Sequence, residues 1–137
     1  MVAGVSADTL DALTQFGHHL GVCFQVVDDV LDVTASAEEL GKPTGNDVHE
    51  GVYTLPVIYA LQSSAELRGL LGRKLEWPEV RQVVSLVKQA DVVEPSLAIA
   101  RVHAAKASEA LAGAAELDSA VCERLKTLVD GLVVRSS

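Results

Sequence analysis

The spacing of apolar residues follows a helical period along most of the chain. Ser6 and Asp8 are suited to cap a helix whose apolar positions continue to Val33, and the polar stretch TASAEELGKPTGNDVHEG then predicts a loop. Because proline is tolerated in a first helical turn, Thr54 and Pro56 mark the next helix. Further helices are predicted at 65–71, 78–90, 95–112 and 117–133. The pattern therefore predicts an all-α fold, a bundle of five or six helices with short loops.

A helical wheel of residues 18–33 separates two apolar faces from one polar stripe. The first apolar face is predicted to be the core stripe, and its members are Leu20, Phe24, Val27 and Leu31. The second apolar flank comprises Val22, Cys23, Val26, Val30 and Val33. The polar stripe comprises His18, Gly21, Gln25, Asp28, Asp29 and Asp32. A helix that is apolar nearly all round is a central helix, so its polar stripe is expected to face a cavity or another polar surface.

Three carboxylates, those of Asp28, Asp29 and Asp32, crowd the end of this helix. They repel one another at helical spacing, and they stand where the helix dipole disfavours acids. Local stability therefore does not explain them, whereas a divalent cation does. Oxygen ligands at this spacing suit Mg²⁺, which takes one or two carboxylates together with waters and phosphate oxygens. A solvated acidic helix end is the alternative, and the apolar surroundings favour the metal.

The charge of the chain is concentrated in its first half. The net charge is −8, and residues 1–67 hold ten acids and one base, Lys42. Such a surface disfavours nucleic acid and suits a bound cation. Lys42 lies in GKPTGNDVHEG, with Asp47 and Glu50 behind it and with glycines that let the backbone approach a ligand. We interpret Lys42 as a diphosphate-binding residue and Asp47 as an outer group of the metal site, and an ordinary soluble turn is the alternative.

Two other features of the sequence limit the function classes. No run of about 18 uncharged apolar residues occurs, and residues 1–10 lack the features of a signal peptide, so we expect no integral membrane segment and a cytoplasmic location. Cys23 and Cys122 match no metal-binding spacing, so they are expected to be reduced, helix-buried thiols.

The stretch GVCFQVVDDVLDVTASAEELGKPTGNDVHEGVYTLPVIYAL resembles the second aspartate-rich region of the trans-type isoprenyl diphosphate synthases, the polyprenyl synthetase family. The positions that match in order and spacing are Phe24, Gln25, Asp28, Asp29, Asp32, Gly41, Lys42, Pro43, Asp47, Gly51, Thr54, Leu55 and Pro56. The resemblance implies the C-terminal half of an isoprenoid-synthase-type fold, with residues 1–137 forming a single partial domain.

The resemblance also implies a reaction, the Mg²⁺-dependent condensation of an allylic diphosphate with isopentenyl diphosphate into trans-polyprenyl diphosphates. It implies that Asp28 binds the metal directly, and that Asp29 and Asp32 bind it directly or through water. Lys42 would hold the diphosphate, and Asp47 would complete the metal site. Phe24 and Gln25 would then contact the substrate, with Gln25 beside the reacting carbons or the diphosphate.

Two departures from the family pattern qualify this expectation. The chain contains no first aspartate-rich motif, and Val52 stands where the family commonly has a lysine. We therefore expect the isolated chain to be inactive, and to associate with itself, with an N-terminal half or with a full-length synthase. One alternative is a catalytically silent helical partner of a synthase. Another is a generic acidic helical module that binds Ca²⁺ or nothing, although the ordered string from Phe24 to Pro56 argues against it.

Overall fold

The computed structural model describes residues 4–134, which form helices joined by short connections. The helices in chain order are α1 (Ala7–Thr34), α2 (Ala37–Leu40), α3 (Asn46–His49), α4 (Leu55–Ser63), α5 (Ala65–Leu70), α6 (Trp77–Gln89), α7 (Val93–Ala110) and α8 (Ser119–Val134). One 3₁₀ turn, Leu111–Gly113, follows α7. The described residues contain no strand, so the predicted all-α fold is confirmed.

Helix α1 begins and ends close to where the sequence predicts. The Ser6 hydroxyl accepts a hydrogen bond from the Thr9 N–H at 3.2 Å, which satisfies one of the free donors of the first turn. At the other end, the Thr34 hydroxyl donates to the Val30 carbonyl at 2.8 Å. The helix therefore extends one residue beyond the predicted Val33.

The polar stretch that the sequence predicts as a loop contains two one-turn helices. Ser36 and Glu39 form a reciprocal capping box at the start of α2, which ends at Gly41 with a φ of 69°. Gly45, with a φ of 81°, precedes α3. Helices this short lack hydrophobic periodicity and depend on caps and glycines, and so the apolar pattern did not reveal them.

The chain divides into two compact units, and residues 28–97 form the second one. Its core is rich in valine, and its buried members include Val33, Val48, Val57, Ala60, Leu67, Leu75, Val80, Val83, Val87 and Val92. Helix α6 contributes Val80, Val83, Val84 and Val87, the positions whose spacing predicts a buried face. This unit is therefore built around one side of α6.

The first unit comprises the chain up to Val27 and from Ala98 onward. Small side chains face inward on its part of α7, where Ala100, Ala104 and Ala107 are buried at helical spacing. His19 of α1 and His103 of α7 meet through their Nδ1 atoms at 2.9 Å. Desolvation by burial lowers the pKa of His103, and the neighbouring His19, Lys106 and His18 lower it further.

The predicted core stripe of α1 is wrong in part. Val27 is buried, but Leu20 and Leu31 are half-buried and Phe24 is 48% exposed. The second flank is the better-buried one, and its buried members are Cys23, Val26, Val30 and Val33. A wheel locates apolar faces, whereas tertiary packing decides which face meets other parts of the chain.

Helices long and apolar enough to cross a bilayer are absent from the described part of the chain.

Candidate active site

The three carboxylates at the end of α1 lie away from bulk solvent. Asp32 is 1% exposed, Asp29 is 8% exposed and Asp28 is half-buried. Burying carboxylates costs free energy unless they are paired or bind a cation. The prediction that the polar stripe does not face open solvent therefore holds for its carboxylate end and is wrong for His18, Gly21 and Gln25, which are exposed.

Asp32 connects α1 to the segment that follows α2. Its Oδ2 accepts a hydrogen bond from the Asp47 N–H at 3.3 Å, and its main-chain carbonyl accepts one from the Gly45 N–H at 2.9 Å. Its Oδ1 lies 3.5 Å from the Lys42 Nζ and has no hydrogen-bond partner among the described residues. The fold thus brings together Asp32, Lys42 and Asp47, which the sequence analysis selected separately.

The pKa of Asp47 is shifted by this arrangement. Burial raises the pKa of its carboxyl, and the Asp32 carboxylate raises it further. The Lys42 ammonium acts in the opposite direction, and Asp28 and Glu50 add upward contributions. Asp47 therefore experiences a surplus of negative charge, which is the environment that attracts a cation.

The donor set has the chemistry that Mg²⁺ requires, since it consists of carboxylate oxygens, one of them buried without a hydrogen bond. Within residues 4–134, no three His, Cys, Asp or Glu side chains converge closely enough to hold a metal by themselves. Mg²⁺ commonly binds one or two carboxylates and takes its other ligands from waters and substrate phosphates. Carboxylates of this group therefore have the chemistry of such a shared site, and the metal-binding role of Asp28, Asp29, Asp32 and Asp47 stays a prediction.

Phe24 and Gln25 lie on α1 shortly before the three carboxylates, and both side chains are exposed. Their assignment to substrate binding stays a prediction, as do the metal-binding and diphosphate-binding assignments of the other residues.

Two glycines of this stretch have structural roles, since Gly41 ends α2 and Gly45 is buried against α6. That the exposed Gly41 lets the backbone approach a ligand stays a prediction, whereas α6 covers Gly45. Thr44, which the sequence analysis did not select, donates from its hydroxyl to the Ala35 carbonyl at 2.9 Å. Its short, polar side chain between Pro43 and Gly45 is a weak signal of such a turn contact.

Val52 lies close to the acidic group through its main chain. Its N–H donates to the Asp47 carbonyl at 2.8 Å, while its side chain is 52% exposed. Position 52 therefore carries no charge, and Lys42 is a basic side chain that contacts these carboxylates, through Asp32.

The sequence profile of the polyprenyl synthetase family matches residues 1–90. This chain belongs to the polyprenyl synthetase family. The match includes the end of α1, the Lys42 segment and α4, and so it covers the carboxylates and the lysine described above.

Three similar proteins illustrate the relationship. The chain is 41% identical over 114 residues to a probable mitochondrial hexaprenyl pyrophosphate synthase of Neurospora crassa, with 82% of this chain and 25% of the relative covered. It is 36% identical to component 2 of the heptaprenyl diphosphate synthase of Geobacillus stearothermophilus, with 82% and 36% covered. It is also 36% identical to geranylgeranyl pyrophosphate synthase of Corynebacterium glutamicum, solved with calcium and isoprenyl diphosphate, at a TM-score of 0.85.

The chain corresponds to a part of these proteins. Its match to the Corynebacterium structure covers 98% of this chain and 43% of that one. It spans 25% of the Neurospora relative and 36% of the Geobacillus relative. The predicted partial fold of isoprenoid-synthase type therefore agrees with the solved structures.

Proposed function

We propose that this chain supplies the diphosphate-binding and Mg²⁺-binding half of a trans-prenyl diphosphate synthase. The observation that carries the proposal is the contact of Lys42 with the buried Asp32, beside Asp47, in the order of the family's second aspartate-rich region. A buried carboxylate group with a lysine at its edge is suited to an anionic substrate that arrives together with a cation.

In the proposed function the carboxylates bind the cation and the lysine binds the diphosphate. Asp28 and Asp29 offer carboxylate oxygens to the cation, and Asp32 and Asp47 complete its surroundings. Lys42, whose side chain is 38% exposed, reaches the diphosphate with ammonium hydrogens. When bound, Mg²⁺ supplies Lewis-acid stabilisation of the charge on the departing diphosphate. The allylic diphosphate and isopentenyl diphosphate are the proposed substrates, and trans-polyprenyl diphosphates are the proposed products.

The proposed half-site needs residues from outside this sequence. The region matched in relatives is a minor part of their length, and this sequence holds only the second of the family's two aspartate-rich motifs. We propose a complex with an N-terminal half, a full-length synthase or a second copy of the chain. The name of the Geobacillus relative, a component 2, supports a multi-component assembly. The cytoplasmic location stays a prediction, since the Neurospora relative is named as mitochondrial.

Two assays of the purified chain test the proposal. The first measures Mg²⁺-dependent binding of inorganic pyrophosphate by calorimetry. The second measures condensation of farnesyl diphosphate with labelled isopentenyl diphosphate. We expect pyrophosphate binding without prenyl product, and we expect Asp28→Ala to abolish the binding. Asp130→Ala, which removes an exposed carboxylate of α8, is the matched control and should bind as the parent chain does.

Each assay can contradict the proposal separately. Prenyl product from the chain alone would refute the half-site, because no first motif is available in the sequence. Pyrophosphate binding that does not depend on Mg²⁺, or that survives Asp28→Ala, would refute the assignment of the carboxylates. Product that appears only after a separately expressed N-terminal half of a relative is added would support the half-site directly.

A second candidate is a catalytically silent partner of a complete synthase. Val52 favours it, because the position lacks the lysine common in the family while its N–H donates to the main-chain carbonyl of Asp47. In that case the chain should bind a full-length relative in sedimentation experiments, and Asp28→Ala should change neither the binding nor the partner's turnover.

A further inference from the structure

The stretch from Gly41 to Asp47, which leads from the end of α2 into α3, is fastened to the end of α1 by three hydrogen bonds. The Thr44 hydroxyl donates to the Ala35 carbonyl at 2.9 Å. The Gly45 N–H donates to the Asp32 carbonyl at 2.9 Å, and the Asp47 N–H donates to the Asp32 Oδ2 at 3.3 Å. Both main-chain and side-chain oxygens of Asp32 are therefore used to hold this segment.

Gly45 also seats the segment against α6. It is buried, and its φ of 81° lies in the left-handed region that favours glycine. A Cβ at this position would lie 2.6 Å from Val84 Cγ2 and 2.8 Å from Val80 Cγ1, closer than real Cβ atoms approach. Gly51 has nearly the same φ, 80°, but a Cβ added there would meet open space within 4 Å. Close packing thus distinguishes Gly45 from another glycine of equal backbone geometry.

These contacts restrict the backbone positions of Lys42 and Asp47, whose side chains are proposed to bind the ligand. Lys42 lies two residues before Thr44, and Asp47 lies two residues after Gly45. Two residues of extended chain span at most about 7 Å. With Thr44 and Gly45 held, the backbones of Lys42 and Asp47 cannot move far from Asp32.

We propose that Asp32, Thr44 and Gly45 form a clasp that holds Lys42 and Asp47 in place before the ligand arrives. Thr44 and Gly45 are positioning residues, since they act through their neighbours. The clasp rests on the proposed function for its ligand, a diphosphate with Mg²⁺. It also explains why Asp32 is almost fully buried, because Asp32 anchors the segment and is not limited to binding a metal.

The first test replaces Thr44. Thr44→Val removes the hydroxyl and keeps the shape, whereas Thr44→Ser keeps the hydroxyl. Amide hydrogen exchange at Gly45 and Asp47, measured by NMR relative to α6 amides, should be about three- to tenfold faster in Thr44→Val. Mg²⁺-dependent pyrophosphate affinity should fall by a similar factor, and Thr44→Ser should restore both quantities to within about twofold. Thr127→Val, which removes a hydroxyl bonded to the Glu123 carbonyl, is the matched control and should change neither.

The second test compares the two glycines. Gly45→Ala and Gly51→Ala both place an alanine at a φ near 80°, which is unfavourable for a residue with a Cβ. Only Gly45→Ala also places that Cβ against α6. We expect Gly45→Ala to weaken pyrophosphate binding more than about tenfold beyond Gly51→Ala. Val87→Ala, a core truncation in the same unit, should lower the melting temperature while leaving the affinity of the folded chain unchanged. If Gly45→Ala does not fold, the Thr44 pair decides the question.

The outcomes separate the clasp from the proposed function. Unchanged exchange at Gly45 and Asp47 in Thr44→Val would overturn the clasp, and so would faster exchange with unchanged pyrophosphate affinity. A parent chain that binds no pyrophosphate with Mg²⁺ would contradict the proposed function, and the exchange data alone would then decide whether the segment is held.

Discussion

The two units differ in how many of their large apolar side chains are buried. The second unit encloses a continuous core of valine and leucine, in which Leu67, Val57 and Val80 are fully buried. Among the described residues, large apolar side chains are exposed in both units, and they are more numerous in the first, where Leu10, Phe24 and Leu128 are about half exposed, than in the second, where Val52, Tyr53 and Ile58 are exposed. Phe24 and Leu128 line an open apolar cavity of about 360 Å³ together with Gly17, Leu20, Gly21 and Leu132.

The candidate metal-binding carboxylates and Lys42 belong to the second unit, whereas Phe24 and Gln25 belong to the first. The anchored segment with Lys42 and Asp47 belongs to the unit with the enclosed core, where Gly45 rests on α6 valines. Like charges can be held together only on a scaffold that resists their repulsion. The first unit has exposed apolar side chains of the kind that mark contact surfaces, in agreement with the proposed need for further helices.

The largest expected effect compares one leucine from each unit. Leu67→Ala removes a fully buried side chain and should lower the free energy of unfolding by about 2–5 kcal/mol. Leu128→Ala removes a side chain that is 52% exposed and should change it by no more than about 0.5 kcal/mol. Urea denaturation followed by circular dichroism measures both. Similar losses in the two variants would show that the first unit is as well packed as the second.

The next effect concerns the charge near Asp47. Val52→Lys should raise Mg²⁺-dependent pyrophosphate affinity about three- to tenfold, because it supplies the lysine that the family commonly has here and adds a positive charge to the proposed diphosphate site. Val121→Lys adds the same charge at an exposed position of α8 and serves as the control for net charge. Calorimetry measures the affinity of both variants. An equal gain in affinity would show that net charge, and not the position of the lysine, causes the effect.

A smaller effect concerns the stability cost of Asp47. The pKa of Asp47 is raised in the folded chain, so its carboxyl ionises less readily there than in the unfolded chain. The contribution of Asp47 to the free energy of unfolding is therefore lost as the pH rises through the folded pKa. Asp47→Asn should therefore raise the melting temperature slightly at about pH 7 while weakening pyrophosphate binding. Asp130→Asn, at an exposed position, should do neither. A lower melting temperature in Asp47→Asn would mean that hydrogen bonding of the carboxylate outweighs its burial.

The smallest effect is expected in the first unit, at His103. The Nδ1 atoms of His19 and His103 share a hydrogen bond, so one ring must be neutral to accept it. Because the pKa of His103 is lowered by folding, its stability contribution is complete above the unfolded value near 6.5 and is lost as the pH falls below it. His103→Gln should reduce the loss of melting temperature between about pH 7 and pH 5. An unchanged loss would exclude His103 as its source.

Much of the fold and part of the site could be predicted from the sequence. The Ser6 start of α1 and the buried valines of α6 follow from capping and helical spacing. Lys42 stands out in the sequence because it is the one base of residues 1–67. The helical wheel predicts Phe24 in the core stripe, but its side chain is 48% exposed, because periodicity does not say which apolar face meets the rest of the chain.

The sequence by itself determined the helical class and the family, and it predicted the residue types of a Mg²⁺ and diphosphate site, because these depend on local periodicity and on motif order. Only the tertiary structure decided that Asp32 anchors the segment carrying Lys42 and Asp47, and that Gly45 packs against Val80 and Val84. These contacts join residues far apart in the chain, and no local pattern encodes the distance between them. A glycine that ends a helix and a glycine that fills a close contact look alike in a sequence, since both lack a side chain, and only packing separates them.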